Sequence, residues 1–447
     1  MIDSTDRSAR AILVFWLPLA LQWVMMALEG PFLSAVIARL DEPTYNLAAY
    51  GVAFAFAILV ESPVIMLMSA STALVEDARS YRRLRAFANH LNALSTGLLL
   101  LLLVPPVYDL VIRAGLGLPS EVADLVYGAL WILLPWPAAI GYRRFIHGVL
   151  IRAGYTRRVA YGTGIRLATM AGTGVVLAGT GIPGAWVGAG ALASGVVLEA
   201  GAAWAMSRDV VRRTLATEGV RTEAVREGGA GASAVDEDSQ ELNYGAILRF
   251  YYPLALTSLL GLTVQPILTF FMGRAPAPVE SLAVFPVVMA LYFLFATFGL
   301  SFQEAAIALV GRRGEYRREL GRFAVGLAAV ASGLLAVLAF TPMARVWFEG
   351  VSGLEPELAA LAFTPAQIIA LGPALTVLLA FHRALLVQAR RTRPITVATA
   401  IEVATIALLF PVFGWGLGWM GVTAAMAALL VARCLGVGFL AWAERRS

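Results

Sequence analysis

Apolar stretches of about 20 residues recur from one end of the chain to the other, and no other feature limits its fold as strongly. Backbone polar groups find no water in hydrocarbon, so such a stretch adopts a helix that satisfies its own hydrogen bonds, and about 20 residues cross the roughly 30 Å bilayer core. About twelve can be read, at 11–38, 46–75, 85–107, 124–150, 159–180 and 186–206, then at 246–273, 281–310, 321–343, 359–388, 395–413 and 419–442. With 59% hydrophobic and 14% charged residues, the chain has too little polar surface to coat a soluble globule of 447 residues. The fold class expected is an all-α polytopic membrane protein. The first stretch is too long for the apolar core of a cleaved leader and lacks a small-residue cleavage site, so it is expected to remain as a helix.

Loop charge orients the bundle. Arginines gather at Arg79, Arg82, Arg83 and Arg85, at Arg152, Arg157 and Arg158, at Arg312, Arg313, Arg317 and Arg318, and at Arg390, Arg391 and Arg393, always in alternate loops. The opposite loops carry Asp41, Glu42, Glu121, Asp124, Glu349, Glu355 and Glu357. Because cytoplasmic loops accumulate basic residues, both termini are expected in the cytoplasm. The pI of about 9.5 records this bias and implies no nucleic-acid partner.

Every basic residue other than the three histidines is an arginine. The absence of lysine removes a Walker A phosphate loop and any Schiff-base chemistry. As a habit of composition it suggests a GC-rich prokaryote, and with it a bacterial plasma (inner) membrane. Cys434 is the sole cysteine, which removes intramolecular disulfides and thiolate clusters. No cofactor, resident metal or enzymatic site is expected. Any pumping must draw on an ion or substrate gradient, or on another chain.

The phrase AILVFWLPLAL at Ala11 returns as AILRFYYPLAL at Ala246, an offset of 235 residues. At that offset Pro18 meets Pro253, Pro31 meets Pro266, Arg39 meets Arg274, and the YRR at Tyr81 meets the YRR at Tyr316. Later the offset becomes 236, where Pro137 meets Pro373, Phe145 meets Phe381, and RAGYTRR at Arg152 is echoed by QARRTRP at Gln388. The reading is a duplicated six-helix unit. Six is even, so both copies enter the membrane from the same side and form two parallel repeats about an axis along the membrane normal, as in transporters that rock two lobes around a central site. The expected division is an N-lobe at 1–206, a cytoplasmic linker at 207–245 and a C-lobe at 246–447. The linker is charged, Gly- and Ala-rich and poor in large apolar groups, so it is expected to be solvated and partly disordered.

PLALQWVMMALEGP from Pro18, LAAYGVAF from Leu47 with Pro63 downstream, and FYYPLAL from Phe250 resemble the progressive ankylosis protein family. That family is distantly related to the multidrug and toxic compound extrusion (MATE) transporters and to the lipid-linked oligosaccharide flippases, within the MOP flippase superfamily. The resemblance covers both halves. It implies a MATE-like two-lobe bundle that exports small organic anions such as citrate and nucleotides, with a historical link to pyrophosphate.

Charges inside the spans bear on that implication, because a charge at the bilayer centre costs about 2.5–3.5 kcal/mol on insertion scales and usually faces a cavity or a partner. Arg143, Arg144 and His147 fall near half depth in the fourth span, three and four residues apart on adjoining parts of one helix face. At the repeat offset the tenth span offers His382 and Arg383. If these faces meet across the pseudo-axis, they form a cationic pocket for a carboxylate or phosphate, where arginine supplies bidentate donors. The competing reading has them snorkel to the headgroups or pair with acids inside one lobe.

Arg166 in the fifth span and Glu402 in the eleventh are counterparts of opposite charge, which suggests an interlobe ion pair or gate, or equally two separate structural pairs. Glu29, Glu61, Glu199 and Glu304 are also embedded. Glu29 precedes Pro31, which should kink the first helix, and a carboxylate at such a kink is a candidate for coupling to H⁺ or Na⁺. Glu61 and Glu304 are further coupling or gating candidates. MATE exporters of the resembling superfamily carry an acidic coupling residue in the first helix. Gln22, Gln265, Gln303 and Asn92 read chiefly as helix glue. The Gly-rich run from Tyr161 lacks a preceding strand and reads as close helix packing rather than a dinucleotide loop.

The sequence thus favours a secondary active transporter for a small-molecule anion, monomeric in the bilayer. A cation-coupled multidrug exporter would want acids in the cavity. A flippase for an anionic lipid-linked precursor would share the basic site and need a side opening, and a membrane scaffold would have no use for half-depth arginines.

Overall fold

The computed structural model describes residues 9–227, 244–310, 316–389, 391 and 393–445, with the side chains of Gln22, Thr156 and 216–227 outside that description. Arg312, Arg313 and Arg390 therefore lie outside the described residues. The first half runs α1 (Ala9–Ala27), α2 (Glu29–Ile37), α3 (Pro43–Glu61), α4 (Leu67–Leu74), α5 (Ala78–Leu103), α6 (Pro105–Tyr108), α7 (Ser120–Ile132), α8 (Trp136–Arg152), α9 (Thr156–Ala178) and α10 (Gly184–Glu227). The second half runs α11 (Tyr244–Leu262), α12 (Val264–Met272), α13 (Pro278–Leu309), α14 (Arg317–Phe340), α15 (Met343–Arg345), α16 (Pro356–Ile368), α17 (Gly372–Gln388), α18 (Arg393–Phe410) and α19 (Gly421–Arg445). Among the described residues the chain is all-helical, and the halves present their long helices in the same order.

Eleven helices or helix pairs are long and apolar enough to cross a membrane, one fewer than the twelve stretches expected. The exception is α9, which has 23 residues, about 34 Å at the helical rise, but a sequence diluted by Gly, Thr and Arg166. Between the halves, residues 207–227, the start of the linker expected to be solvated and partly disordered, continue α10 as helix, in keeping with their Arg, Ala, Leu and Glu content. Residues 228–243 lie outside the description.

The first long helix of each half is broken at one place. A proline ring collides with the carbonyl four residues earlier, which for Pro31 is Ala27 and for Pro266 is Leu262. Those are the last residues of α1 and of α11.

Below the break each of these helices leans on the opposite half. The Trp16 indole of α1 donates to Ser301 Oγ at 2.9 Å and stands edge-on to Phe298 and Phe323 of α13 and α14, with centroids 6.0 and 5.9 Å away. Tyr251 of α11, the counterpart of Trp16 at offset 235, donates its hydroxyl to the Pro63 carbonyl and stands edge-on to Phe87 at 5.2 Å. Tyr244 adds a hydrogen bond with His90 Nδ1 at 3.0 Å. Outward faces carry large exposed apolar groups such as Leu17, Leu110, Val176 and Leu408, as a lipid-facing surface requires.

Candidate functional site

Three helices of the first half, α8, α9 and α10, approach closely because glycine stands where they cross. A Cβ at Gly195 would lie 3.1 Å from the Arg166 carbonyl, and one at Gly162 would sit 3.5 Å from both His147 Nε2 and Glu199 Cγ. This spacing brings long charged side chains of neighbouring helices together at one depth. Arg143 Nη1 meets Glu199 Oε2 at 2.9 Å, and Arg166 Nε lies 3.6 Å from the same oxygen. The second arm of Arg166 bonds Glu29, brought in at the head of α2 just past the break. Glu199 is 0% exposed, and Arg143, Arg166 and His147 are buried beside it.

Glu61, at the end of α3, accepts the Trp136 indole N–H at 2.5 Å and lies within electrostatic reach of Arg144. Glu29 and Glu199 thus hold the guanidinium groups of Arg143 and Arg166 directly, while Glu61 offsets the charge of Arg144 without an ion pair within 4 Å among the described residues. A buried network of this size survives only if its charges are compensated, because isolated ions in a low dielectric cost several kcal/mol each.

The second half arranges a smaller set. Arg433 Nη1 of α19 meets Glu402 Oε2 of α18 at 3.1 Å, and Gly436 leaves room for that carboxylate. Arg383 of α17 has Thr399 Oγ1 at 3.4 Å as its hydrogen-bond acceptor. His382 turns to Glu444, which also takes Arg317 at 2.5 Å, so it belongs to the arginine-rich loop end and not to the Arg383 group. Two arginines against one carboxylate leave this set one positive charge in excess.

The interlobe pair envisaged for Arg166 and Glu402 does not form. Arg166 is held by Glu29 and Glu199, and Glu402 by Arg433, each inside its own half. The opposite charges at matched positions arise because the two halves build the same interhelical pair with reversed polarity. In the first half arginine is on α9 and glutamate on α10, while in the second glutamate is on α18 and arginine on α19. Glu199 and Arg433 are 234 residues apart, close to the 236 that separates Arg166 from Glu402.

Among the described residues no ion pair joins the two buried sets. Among the described residues Arg144 and Arg383, one in each half, have no carboxylate within 4 Å. Glu304 is exposed on α13 and accepts the Trp23 indole at 3.2 Å, apart from both networks.

Sequence reading passed over Arg433, Glu444, Trp136 and Trp23. Arg433 had a signal, since it is a charge deep in the last apolar stretch, whereas the indole donors had none. A cavity of about 670 Å³ lies elsewhere, between α1 and α14, walled by Leu13, Trp16, Phe298 and Leu327, with Glu319 and Arg322 among its lining residues. None of the embedded charges discussed above lines it.

No family model and no curated protein matches the chain by sequence. Solved structures do match in fold. The lipid II flippase MurJ in its inward closed conformation superposes with a TM-score of 0.73 at 15% identity, covering 96% of this chain and 87% of that one. An inward-facing multidrug resistance MATE transporter of the MOP superfamily gives 0.67 at 15% identity, covering 97% of each chain. A MOP superfamily transporter from Pyrococcus furiosus Vc1, described as having a binding pocket of reverse polarity, gives 0.62 at 15% identity over 98% of this chain and 96% of that one. The chain has a MATE-like fold, with eleven helices or helix pairs among the described residues long and apolar enough to cross a membrane.

Proposed function

We propose that the protein is a secondary active transporter that exports a small organic or phosphorylated anion, such as citrate, ATP or pyrophosphate, by alternating access. The observation that carries this reading is the pair of arginines, Arg144 and Arg383, each half-buried within a span and, among the described residues, with no carboxylate within 4 Å while the neighbouring arginines are paired. A guanidinium kept in that state is ready for a carboxylate or phosphate supplied from outside. Arg143 and His147 support the first of these groups, and His382 the loop end of the second.

The acids that a cation exporter would need are engaged otherwise. Glu29, Glu199 and Glu402 hold arginines, and Glu61 and Glu304 take indole N–H groups. Coupling falls to Glu29, since binding of H⁺ or Na⁺ there would release one arm of Arg166. The resemblance to the progressive ankylosis family, two lobes at 1–206 and 246–447, a monomeric state and a bacterial plasma membrane with both termini inside belong to the same reading.

The test is efflux of labelled citrate or ATP from proteoliposomes. Saturable efflux by the wild type that the Arg144→Gln, Arg383→Gln double variant loses supports the reading. Movement of cationic dyes in place of either anion would sink it. A second reading, a flippase for an anionic lipid-linked precursor, draws on the apolar cavity between α1 and α14, whose wall of Leu13, Trp16, Phe298 and Leu327 suits an acyl chain. It predicts transfer of a lipid phosphate across vesicles with no efflux of citrate.

A further inference from the structure

The repeat places arginines at Arg39 and Arg274, just past the ends of α2 and α12 and away from the arginine-rich loops. Arg39 Nη2 donates to the carbonyls of Gly350 and Val351 at 2.7 and 3.0 Å, while its Nη1 bonds Ala35 O at 2.7 Å. Arg274 Nη2 donates to the carbonyl of Ala114 at 3.0 Å, and its guanidinium stacks over Phe270 at 4.2 Å. Each arginine therefore reaches from its own half to the other, and the two reaches are equivalent.

The acceptors are equivalent as well. Ala114 ends one π-helical turn, Asp109–Ala114, and Gly350 and Val351 end another, Val346–Val351. The last carbonyls of a helix have no partner within it and carry the negative end of its dipole, so a cation bonded there is favoured. π-turns are uncommon and gather at functional places.

The surroundings are shaped for these contacts. Gly353 adopts φ +73°, and a Cβ on it would lie 2.6 Å from Arg39 Nη1. Its counterpart Gly117 adopts φ +67° and would place a Cβ 3.7 Å from the Gly273 carbonyl. Three residues beyond each arginine the chain enters the left-handed region at a residue with a side chain, Glu42 with φ 49° and Ala277 with φ 50°. Such residues are uncommon, and a local strain of this kind persists where the surrounding structure enforces it. Two loops 235 residues apart carry the same strained geometry.

We propose that Arg39 and Arg274 form a symmetric two-arm gate at the acid-rich end of the bundle, each arginine capping a π-turn of the opposite half to hold that end shut. Only the word gate rests on the transport reading, and the contacts stand without it. At the other end Trp16 and Tyr251 bridge the halves in the same crossed manner, so the structure is bridged at both ends. A guanidinium on backbone carbonyls suits a gate that must reopen. The bonds are made to partial charges and not to a buried carboxylate, so opening strands no ion.

The test uses the full chain in lipid nanodiscs, with Cys434→Ser as background and spin labels at Asp41→Cys and Glu355→Cys across the acid-rich end. A second label pair, Arg157→Cys and Arg318→Cys, reads the opposite end. In Arg39→Gln, Arg274→Gln the acid-end distances should gain a longer population about ten-fold above the wild type, a shift of about 1.4 kcal/mol. Each single variant should give about three-fold, and the loop-end distances should stay at wild-type values, which also verifies the fold. Gly353→Ala, which crowds Arg39 without removing it, should open the same end. Unchanged acid-end distances in the double variant would overturn the gate whatever the chain carries. Opening in a chain that moves neither citrate, ATP nor cationic dye would uphold the arginine contacts and sink the transport reading instead.

Discussion

Replacing Glu199 by glutamine tests whether the buried network is organised as the distances say. Glu199 is 0% exposed and serves two cations, Arg143 at 2.9 Å and Arg166 at 3.6 Å. On its loss Arg166 retains Glu29, but Arg143 keeps no carboxylate within 4 Å among the described residues. Removing one member of a buried pair costs about 3–5 kcal/mol, whereas replacing both members by apolar groups of similar volume is close to neutral. Glu199→Gln should therefore weaken folding by about two to four decades. The Arg143→Met, Glu199→Leu double variant should recover most of that. Glu29→Gln, which leaves Arg166 on Glu199, should fall near the about 1 kcal/mol of an ordinary substitution. The assay is the loss of monodisperse protein on heating in detergent, followed by fluorescence-detected chromatography across all four proteins. The reasoning fails if Glu199→Gln melts no lower than Glu29→Gln, or if the double variant is as unstable as the single.

Further outcomes follow from other contacts. Glu402→Arg or Arg433→Glu alone should each destabilise by about 3–5 kcal/mol, while the swapped double variant should regain most of the loss in the same melt. Gly299→Ala should cost about 1–3 kcal/mol by overpacking, since its Cβ would sit 2.8 Å from the Val377 backbone N where α13 and α17 cross, and a melt equal to wild type would refute that closeness. Asp77 caps α5 through the Ser80 N–H at 2.8 Å, and this hydrogen bond holds its carboxyl below the usual range. A lowered value stabilises the folded form above the unfolded value of about 3.9 and loses that contribution as pH falls through the folded one. Amide exchange in the first turn of α5 should accordingly quicken below about pH 4 in the wild type, and be fast at all pH in Asp77→Ala.

The spans, the duplication and the break at Pro31 were legible because each depends on local chemistry, and the repeat carries the same proline to Pro266. Long apolar runs, a fixed offset and prolines at Pro31 and Pro266 act on the backbone nearby. Even there, α9 shows the limit of hydropathy, since a helix that carries Arg166 and lines its contacts with Gly and Thr falls short on composition while occupying its place in the bundle. The partners of the embedded charges were not legible. Whether Arg166 reaches Glu402 or Glu199 depends on how α9 is rotated against its neighbours, and that is set by packing at Gly162 and Gly195 rather than by spacing along the chain. The crossing of α1 and α11 to opposite halves, the π-turns, and positive φ at Glu42 and Ala277 likewise have no signature in residue type.

Sign reversal between the halves separates two kinds of interaction. Arg166 with Glu199 becomes Glu402 with Arg433, and the Asp109–Arg113 pair beside one π-turn becomes Arg345–Glu349 beside the other. A mutual ion pair depends on the product of its charges, so both members can exchange sign and keep the geometry and most of the energy. Arg39 and Arg274 keep the same sign, because their acceptors are backbone carbonyls whose partial charge no substitution can invert.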